Sequence, residues 1–296
     1  MPYAPLELTR MKDWWSHHSA ARSALSIKYL SECDSTNAQL YRSPSQHHTL
    51  LVAETQIQGR GQFERVWRSQ SGDLIFSLGL RLPIDKIPAL SIRVGLALAQ
   101  TLNAYGYHIQ LKWPNDVIGD TGTHKGKLAG ILVQTNPSEH SATRWVVIGV
   151  GLNVASRLHE SMDDTTPSAF PPIGLAQLDS AWQIQHLPTG ARETLLMRLV
   201  DAILLQIEAA HTLPDPQLTQ HWNAYDVWQQ QSVQWSENGT VDTAMNLPYG
   251  AAQGINEWGA YRIRSAADNA IITLNSGQIR AYHPIDLINP IDEPTP

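Results

Sequence analysis

Three short stretches concentrate groups suited to handling an anion. Lys112-Trp113-Pro114-Asn115-Asp116 sets a cation, an aromatic ring, a turn-forming proline and two metal-capable oxygens at the end of an apolar run. Taken alone, Asn115-Asp116 after a proline is most often a β-turn. Lys125-Gly126-Lys127-Leu128-Ala129-Gly130-Ile131-Leu132 follows across a polar segment. Lys127 therefore precedes a buried strand whose Ala129 and Gly130 leave room for a close ligand. Upstream, Gln56 to Trp67 combines Gly59 and Gly61, whose amides can face an anion, with Arg60 and Arg65, and Arg68 follows. A solvated loop with scattered arginines is the plainer reading of that stretch alone. Together the three point to one shared anion site.

Standard nucleotide motifs do not explain them. Gly122 to Leu128 fails the P-loop glycine spacing, and Leu128 stands where a hydroxyl should meet magnesium. Gly149-Val150-Gly151-Leu152-Asn153 and Gly59-Arg60-Gly61 begin like a dinucleotide fingerprint and lack its third glycine. The single cysteine, Cys33, has no adjacent histidine to activate it and reads as a small buried residue. The pairs His17-His18 and His47-His48 lack partners at metal spacing and read as surface residues.

The elements that would position these groups follow from periodicity. Strands are expected at Ile27–Leu30, Leu50–Glu54, Leu74–Leu82, Ile109–Trp113, Leu128–Thr135 and Arg144–Val150. Asp34-Ser35-Thr36-Asn37 offers capping side chains before a helical stretch, Ala38–Arg42. Ala89–Tyr105 and Arg192–His211 are amphipathic helices, and a short helix fits Met11–Arg22. Ala155–Ile173, with its prolines and acidic residues, is a long loop. Beyond Trp222 the chain changes to short β-like runs: Ser232–Trp235, Ala260–Ile263, Ala270–Leu274 and Ile279–Tyr282. They imply a small barrel-like β domain from about residue 225. Strands and helices do not alternate regularly enough for a doubly wound sheet.

Composition agrees with a folded chain. Of 296 residues 42% are hydrophobic and 16% charged, which excludes a highly charged disordered polypeptide. Twenty-one basic against 27 acidic residues give a formal net charge of −6, no global reason to bind nucleic acid or an anionic membrane. One cysteine excludes an intramolecular disulfide or a cysteine-based zinc cluster. No signal-peptide core fits Met1 to Trp15, and no apolar run is long enough to span a bilayer, so a reducing cytoplasm is expected.

Taken in order, Ser35-Thr36-Asn37, Gly59-Arg60-Gly61 with Arg65 and Trp67, Lys112 to Asp116, Gly126 to Leu132 and Gly149 to Asn153 resemble the biotin protein ligases. The motifs cover Ile27 to Asn153, with weaker likeness at Gly254-Ile255 and Gly259-Ala260. The resemblance implies an α/β (α+β) catalytic domain, a mixed sheet with flanking helices, followed by a small SH3-like β-barrel. The organisation expected is an N-terminal extension, 1–26, a catalytic domain, 27–224, and a C-terminal β domain, 225–296. It further implies that biotin and Mg²⁺-ATP form biotinyl-5′-AMP. A lysine on the biotin carboxyl carrier protein of acetyl-CoA carboxylase then receives the biotinyl group.

On this resemblance Lys127 and Arg60 are the catalytic cations. Ser35, Thr36, Asn37, Gln56, Arg60, Gly61, Gln62, Lys127 and Gly130 face biotin. Gly59, Arg60, Gly61, Arg65, Trp67, Lys112, Asn115, Asp116 and Asn153 face ATP and the adenylate, with Asp116 and Asn115 toward Mg²⁺. Many relatives have Arg-Arg-Gly-Arg after the second glycine, where this chain has Gln62-Phe63-Glu64-Arg65. That departure weakens electrostatic retention of the adenylate. Residues 1–26 are too few for the DNA-binding winged helix of bifunctional relatives, so the chain resembles the monofunctional class, with no nucleic-acid or membrane partner and a homodimer left open. The loops at Gln58–Trp67 and Ser161–Ile173 are expected to close over the adenylate and exclude water. A lipoate or octanoate ligase of the same fold is the alternative. Its transferase cousins use a cysteine late in the domain, which this chain lacks.

Overall fold

The computed structural model describes residues 3–19, 24–45, 47–136, 142–155, 170–183, 186–210, 213–237 and 247–282. Helix α1 spans Leu8–His18 and strand β1 Leu25–Cys33. Helix α2 (Thr36–Arg42), β2 (His48–Gln56), β3 (Leu74–Pro83) and α3 (Leu90–Ala104) follow. Next come β4 (His108–Lys112), β5 (Asp116–Asp120), β6 (Lys125–Thr135) and β7 (Thr143–Leu152). The seven strands form one mixed sheet in the order β1-β2-β3-β7-β6-β5-β4, in which only β1 and β2 run parallel. The central strands carry near-continuous apolar residues because helices cover both sheet faces. Helix α4 spans Leu175–Leu178, α5 Ala191–Glu208 and α6 Pro216–Asn223. Helices α1, α3 and α5 pack together against one face, and α2 sits against β3 and β7 from the other.

Helix α2 begins where Ser35 caps it, its side chain accepting from the Ala38 amide. This cap is what brings Thr36 and Asn37, both buried, to the end of the sheet. The short N-terminal helix begins earlier than its periodicity suggests and ends at His18, because the apolar side chain of Met11 and the half-buried Trp14 and Trp15 seat it on the core.

Beyond α6 lie β8 (Ser232–Ser236), β9 (Tyr249–Ile255), β10 (Tyr261–Ser265), β11 (Ile271–Leu274) and β12 (Gln278–Ala281). They form a five-stranded antiparallel sheet in the order β11-β10-β9-β8-β12. The expected barrel is not closed among the described residues, since β11 and β12 stay at opposite edges. The second sheet is tied to the first by a short parallel stitch. The Leu111 amide donates to the Tyr225 carbonyl at 2.7 Å, and the Val227 amide to the Leu111 carbonyl at 2.9 Å. A buried ion pair, Arg93 to Asp215 at 3.0 Å, links α3 to the residue that caps α6.

Asp226 lies in this seam, 4% exposed, accepting from the Tyr261 hydroxyl at 2.7 Å and the Trp228 amide at 3.1 Å. Burial pushes its carboxyl up to about 6, outweighing both hydrogen bonds. A raised acid binds its proton more tightly folded than unfolded, so this group favours folding below about pH 4 and loses that advantage as pH rises to about 6. The loss amounts to roughly 2–3 kcal/mol. Asp226→Asn keeps an oxygen for Trp228 and an amide donor for the Tyr261 oxygen. Urea titrations at pH 4 and pH 7 should show this variant losing less stability over that interval than the wild type. An identical loss in both proteins would place the titrating group elsewhere.

Candidate active site

A cavity of about 430 Å³ opens between the two sheets, in the size range of small-molecule sites. Every site residue singled out in the sequence lines it except Gly59. Gly59 lies behind the wall, where a Cβ would stand 2.5 Å from the Trp67 carbonyl oxygen.

One end is a neutral hydrogen-bonded wall. The Thr36 amide donates to Gln56 Oε1 at 2.7 Å, and the Thr36 hydroxyl lies 3.1 Å from the same oxygen. Ser77, on β3, donates to Asn37 Oδ1 at 2.6 Å and stands 2.7 Å from the Thr36 hydroxyl. Ser77 has one proton for two acceptors, Asn37 Oδ1 and the Thr36 hydroxyl, while the Thr36 proton faces Gln56 Oε1. Asn37 Nδ2 donates to the Leu132 carbonyl and to Gln134 Oε1. Gly149 admits this arrangement, because a Cβ there would fall 2.0 Å from Asn37 Oδ1. Ser77 and Gln134 carried no motif; a lone hydroxyl within an apolar strand was the available signal.

The other end is charged. Lys127, projecting from β6, lies 2.7 Å from Asp116 Oδ1, and Lys112 lies 3.5 Å from Oδ2. Burial alone would raise Asp116, but the two ammonium groups hold its carboxyl below the usual range. Lys112 is lowered, chiefly by burial and further by Lys127, against the opposing pull of Asp116. The Asn115 amide donates to the Ile131 carbonyl at 2.9 Å, and Asn153 donates to the carbonyls of Lys127 and Ile173. These two amides fix the backbone that presents Lys127. Both Asp116 oxygens face ammonium groups, and no cluster of three acidic, histidine or cysteine side chains exists among the described residues. Asp116 and Asn115, expected to face Mg²⁺, are engaged with the two lysine ammonium groups and the Ile131 carbonyl.

The arginine-bearing segment has structure of its own. The Trp67 amide donates to the Gly59 carbonyl at 2.9 Å and the Gly61 amide to the Arg65 carbonyl at 2.7 Å, closing a small hairpin. It folds Trp67 inward, over the facing glycines Gly130 and Gly151 and 5.5 Å from the Lys127 ammonium. The Trp67 indole N–H is buried without a partner among the described residues. Arg65 points the other way. With the Gln278 amide oriented so that its oxygen faces the guanidinium, that oxygen accepts from Arg65 at 2.6 and 2.9 Å. The second sheet thus supplies part of the cavity, through Gln234, Trp235, Gln278 and Arg280, none of which the sequence singled out.

The second expected closing loop is described only from Phe170 onward. There the Lys127 amide donates to the Pro171 carbonyl at 2.7 Å and the Ile173 amide to the Lys127 carbonyl at 3.0 Å. Residues 156–169 lie outside the described residues. Cys33 is buried, and burial pushes its thiol up to about 11, so it is protonated at neutral pH and unsuited to act as a nucleophile.

Residues 30–153 match the model of the biotin/lipoate A/B protein ligase family. That segment is similar to the biotin/lipoate ligase domain. Over 164 residues the chain is 34% identical to the bifunctional ligase/repressor BirA of Bacillus subtilis, covering 53% of this chain and 49% of that protein. It is likewise 34% identical, over 165 residues, to the biotin–[acetyl-CoA-carboxylase] ligase of Mycobacterium tuberculosis, covering 52% of this chain and 58% of that one. The chain thus spans about half the length of these relatives. The chain also shares its fold with the Aquifex aeolicus biotin protein ligase solved with biotin and ATP. That structure is 20% identical with a TM-score of 0.68, covering 87% of this chain and 99% of the other.

Proposed function

We propose that this protein is a biotin–[acetyl-CoA-carboxylase] ligase, making biotinyl-5′-AMP from biotin and ATP and passing biotin to a lysine of a carboxylase carrier domain in the cytoplasm. The observation that carries the reading is the polarity of one cavity, a neutral hydrogen-bonding wall at one end and a Lys112–Asp116–Lys127 cluster at the other. A ligand with a polar neutral ring and a distant carboxylate matches that gradient. Ser35, Thr36, Asn37 and Gln56 are the groups for the ureido ring, with Gly61, Gln62 and Gly130 alongside.

In the first step a carboxylate oxygen attacks the α-phosphorus, and the bond to the departing pyrophosphate breaks. Two anions must meet, so the contribution of the protein is charge neutralisation and alignment. Lys127 and Arg60 stand at the reacting carboxylate and phosphate; Lys112, Arg65 and Asn153 belong to the nucleotide side, with Trp67 as an aromatic wall. Mg²⁺ would neutralise phosphate charge when it enters with ATP. In the second step the carrier lysine attacks the acyl carbon, and AMP leaves. Neither step requires a covalent enzyme intermediate.

The test is mass spectrometry of a biotin carboxyl carrier domain after incubation with the protein, biotin, ATP and Mg²⁺. The expected result is one biotinyl group on one lysine, and none when lipoate or octanoate replaces biotin. Equal or better incorporation of a lipoyl group would move the assignment to lipoate ligation.

A further inference from the structure

We propose that the N-terminal segment 3–6, acting through Tyr3 and Arg192, holds both stems of the arginine-bearing loop and so forms a working part of the site. The importance of that loop for a ligand rests on the function proposed above; its anchoring does not. The loop leaves the sheet after Gln56 and returns at Leu74, and the residues beside both exits converge on one buried guanidinium. Arg192, at the start of α5 and 3% exposed, donates to Glu54 Oε1 at 2.8 Å on the outgoing stem and to the Asp73 carbonyl at 3.2 Å on the returning stem. Its third acceptor is the Ala4 carbonyl at 2.7 Å, and the Leu6 amide donates to Glu54 Oε2 at 3.1 Å.

Tyr3 completes the clasp. Its ring packs on Gly72, where a Cβ would stand 2.3 Å from Cδ2, and its hydroxyl donates to the Trp182 carbonyl at 2.9 Å. Gly72 has φ of +100°, so the return turn is one that other residues adopt only with strain, and Tyr3 closes over it. The neighbouring Asp73 is 1% exposed and accepts from the Gln70 amide, inside the loop, and from the Val154 amide. Val154 adjoins Asn153, the residue that holds the Lys127 carbonyl. The segment is therefore coupled to the loop at both exits and, by one further step, to the Lys127 strand. Tyr3 and Arg192 act through these groups and are positioning residues.

The experiment is hydrogen exchange on the full-length protein without ligands, read in residues 57–72, together with steady-state kinetics. Tyr3→Ala should speed exchange in the loop by about tenfold and raise the KM for ATP several-fold while leaving kcat within about twofold, because only the open loop population changes. Tyr3→Phe keeps the ring over Gly72 and should behave as wild type in the loop. Arg192→Lys, which cannot span three acceptors, should repeat the Tyr3→Ala pattern. Met11→Ala removes a fully buried side chain of the adjoining helix that makes none of the clasp's hydrogen bonds, so it should lower Tm without selectively speeding loop exchange. Loop exchange unchanged in both Tyr3→Ala and Arg192→Lys, or equal acceleration in Met11→Ala, would overturn the proposal. So would faster exchange with an unaltered KM in an enzyme that does turn over ATP. Faster loop exchange in a protein that consumes no ATP would sustain the clasp and defeat the ligase reading instead.

Discussion

Lys127→Ala is expected to slow adenylate formation by about 10–10⁴-fold, the effect of losing one or two charge-assisted contacts worth roughly 1.5–3 kcal/mol each. The residue is placed for this by three independent constraints. Its backbone is held by Asn153 and by the strand-like pairing with 171–173; its ammonium lies on the Asp116 carboxylate; and Trp67 lies beside it. The side chain remains 30% exposed, so alanine opens no core cavity, and the fall in Tm comes from leaving the Asp116 carboxylate with Lys112 alone. Pyrophosphate release measured without an acceptor protein isolates the step. A wild-type rate there would reduce Lys127 to a residue flanking a strand. The lowering of Lys112 adds a pH signature. Its positive charge is lost earlier than that of an ordinary lysine as pH rises, so the alkaline limb of the rate should begin below the usual lysine range.

How far the sequence reaches differs between the two ends of the cavity. The charged end is legible because Lys112 to Asp116 and Lys125 to Leu132 are contiguous motifs, and the antiparallel pairing of β5 with β6 brings Asp116 beside Gly130 as a hairpin must. The neutral wall is only half legible. Ser35-Thr36-Asn37 is visible, but Asn37 is fixed by Ser77 and Gln134, 40 and 97 residues away, and a pattern of local periodicity carries no such pairing. The contribution of the second sheet is hidden for a similar reason. Gln278 reaches Arg65 only after β12 has been laid against β8, and its own sequence context is a plain turn after Gly277. Strand β9 escapes the alternation test because Gly250 and Gly254 interrupt it, while α6 is short and starts at a proline. Arg192 reads simply as the first turn of an amphipathic helix. Its role follows from burial beside Glu54, a fact of packing that no spacing rule encodes.

Gly149→Ala should lower biotin affinity by more than about 100-fold, because the added methyl occupies the place of the Asn37 amide. Asn37 is 5% exposed, accepts from Ser77 and donates to two oxygens, so it cannot retreat to water. Its displacement leaves the buried Ser77 without its partner, at about 1–3 kcal/mol, and adds a similar overpacking cost. Unfolding free energy should therefore fall by roughly 2–6 kcal/mol. Nucleotide binding at the lysine end should change far less, since neither Lys112 nor Lys127 touches this wall. Calorimetric titration with biotin and ATP separately distinguishes the two ends. The double variant Gly149→Ala/Asn37→Ala removes the clash as well as the amide, and so should regain part of the stability without regaining the affinity. Wild-type biotin affinity in Gly149→Ala would remove Asn37 from the recognition wall. Restored affinity in the double variant would mean that Asn37 serves only to fill the space beside β7.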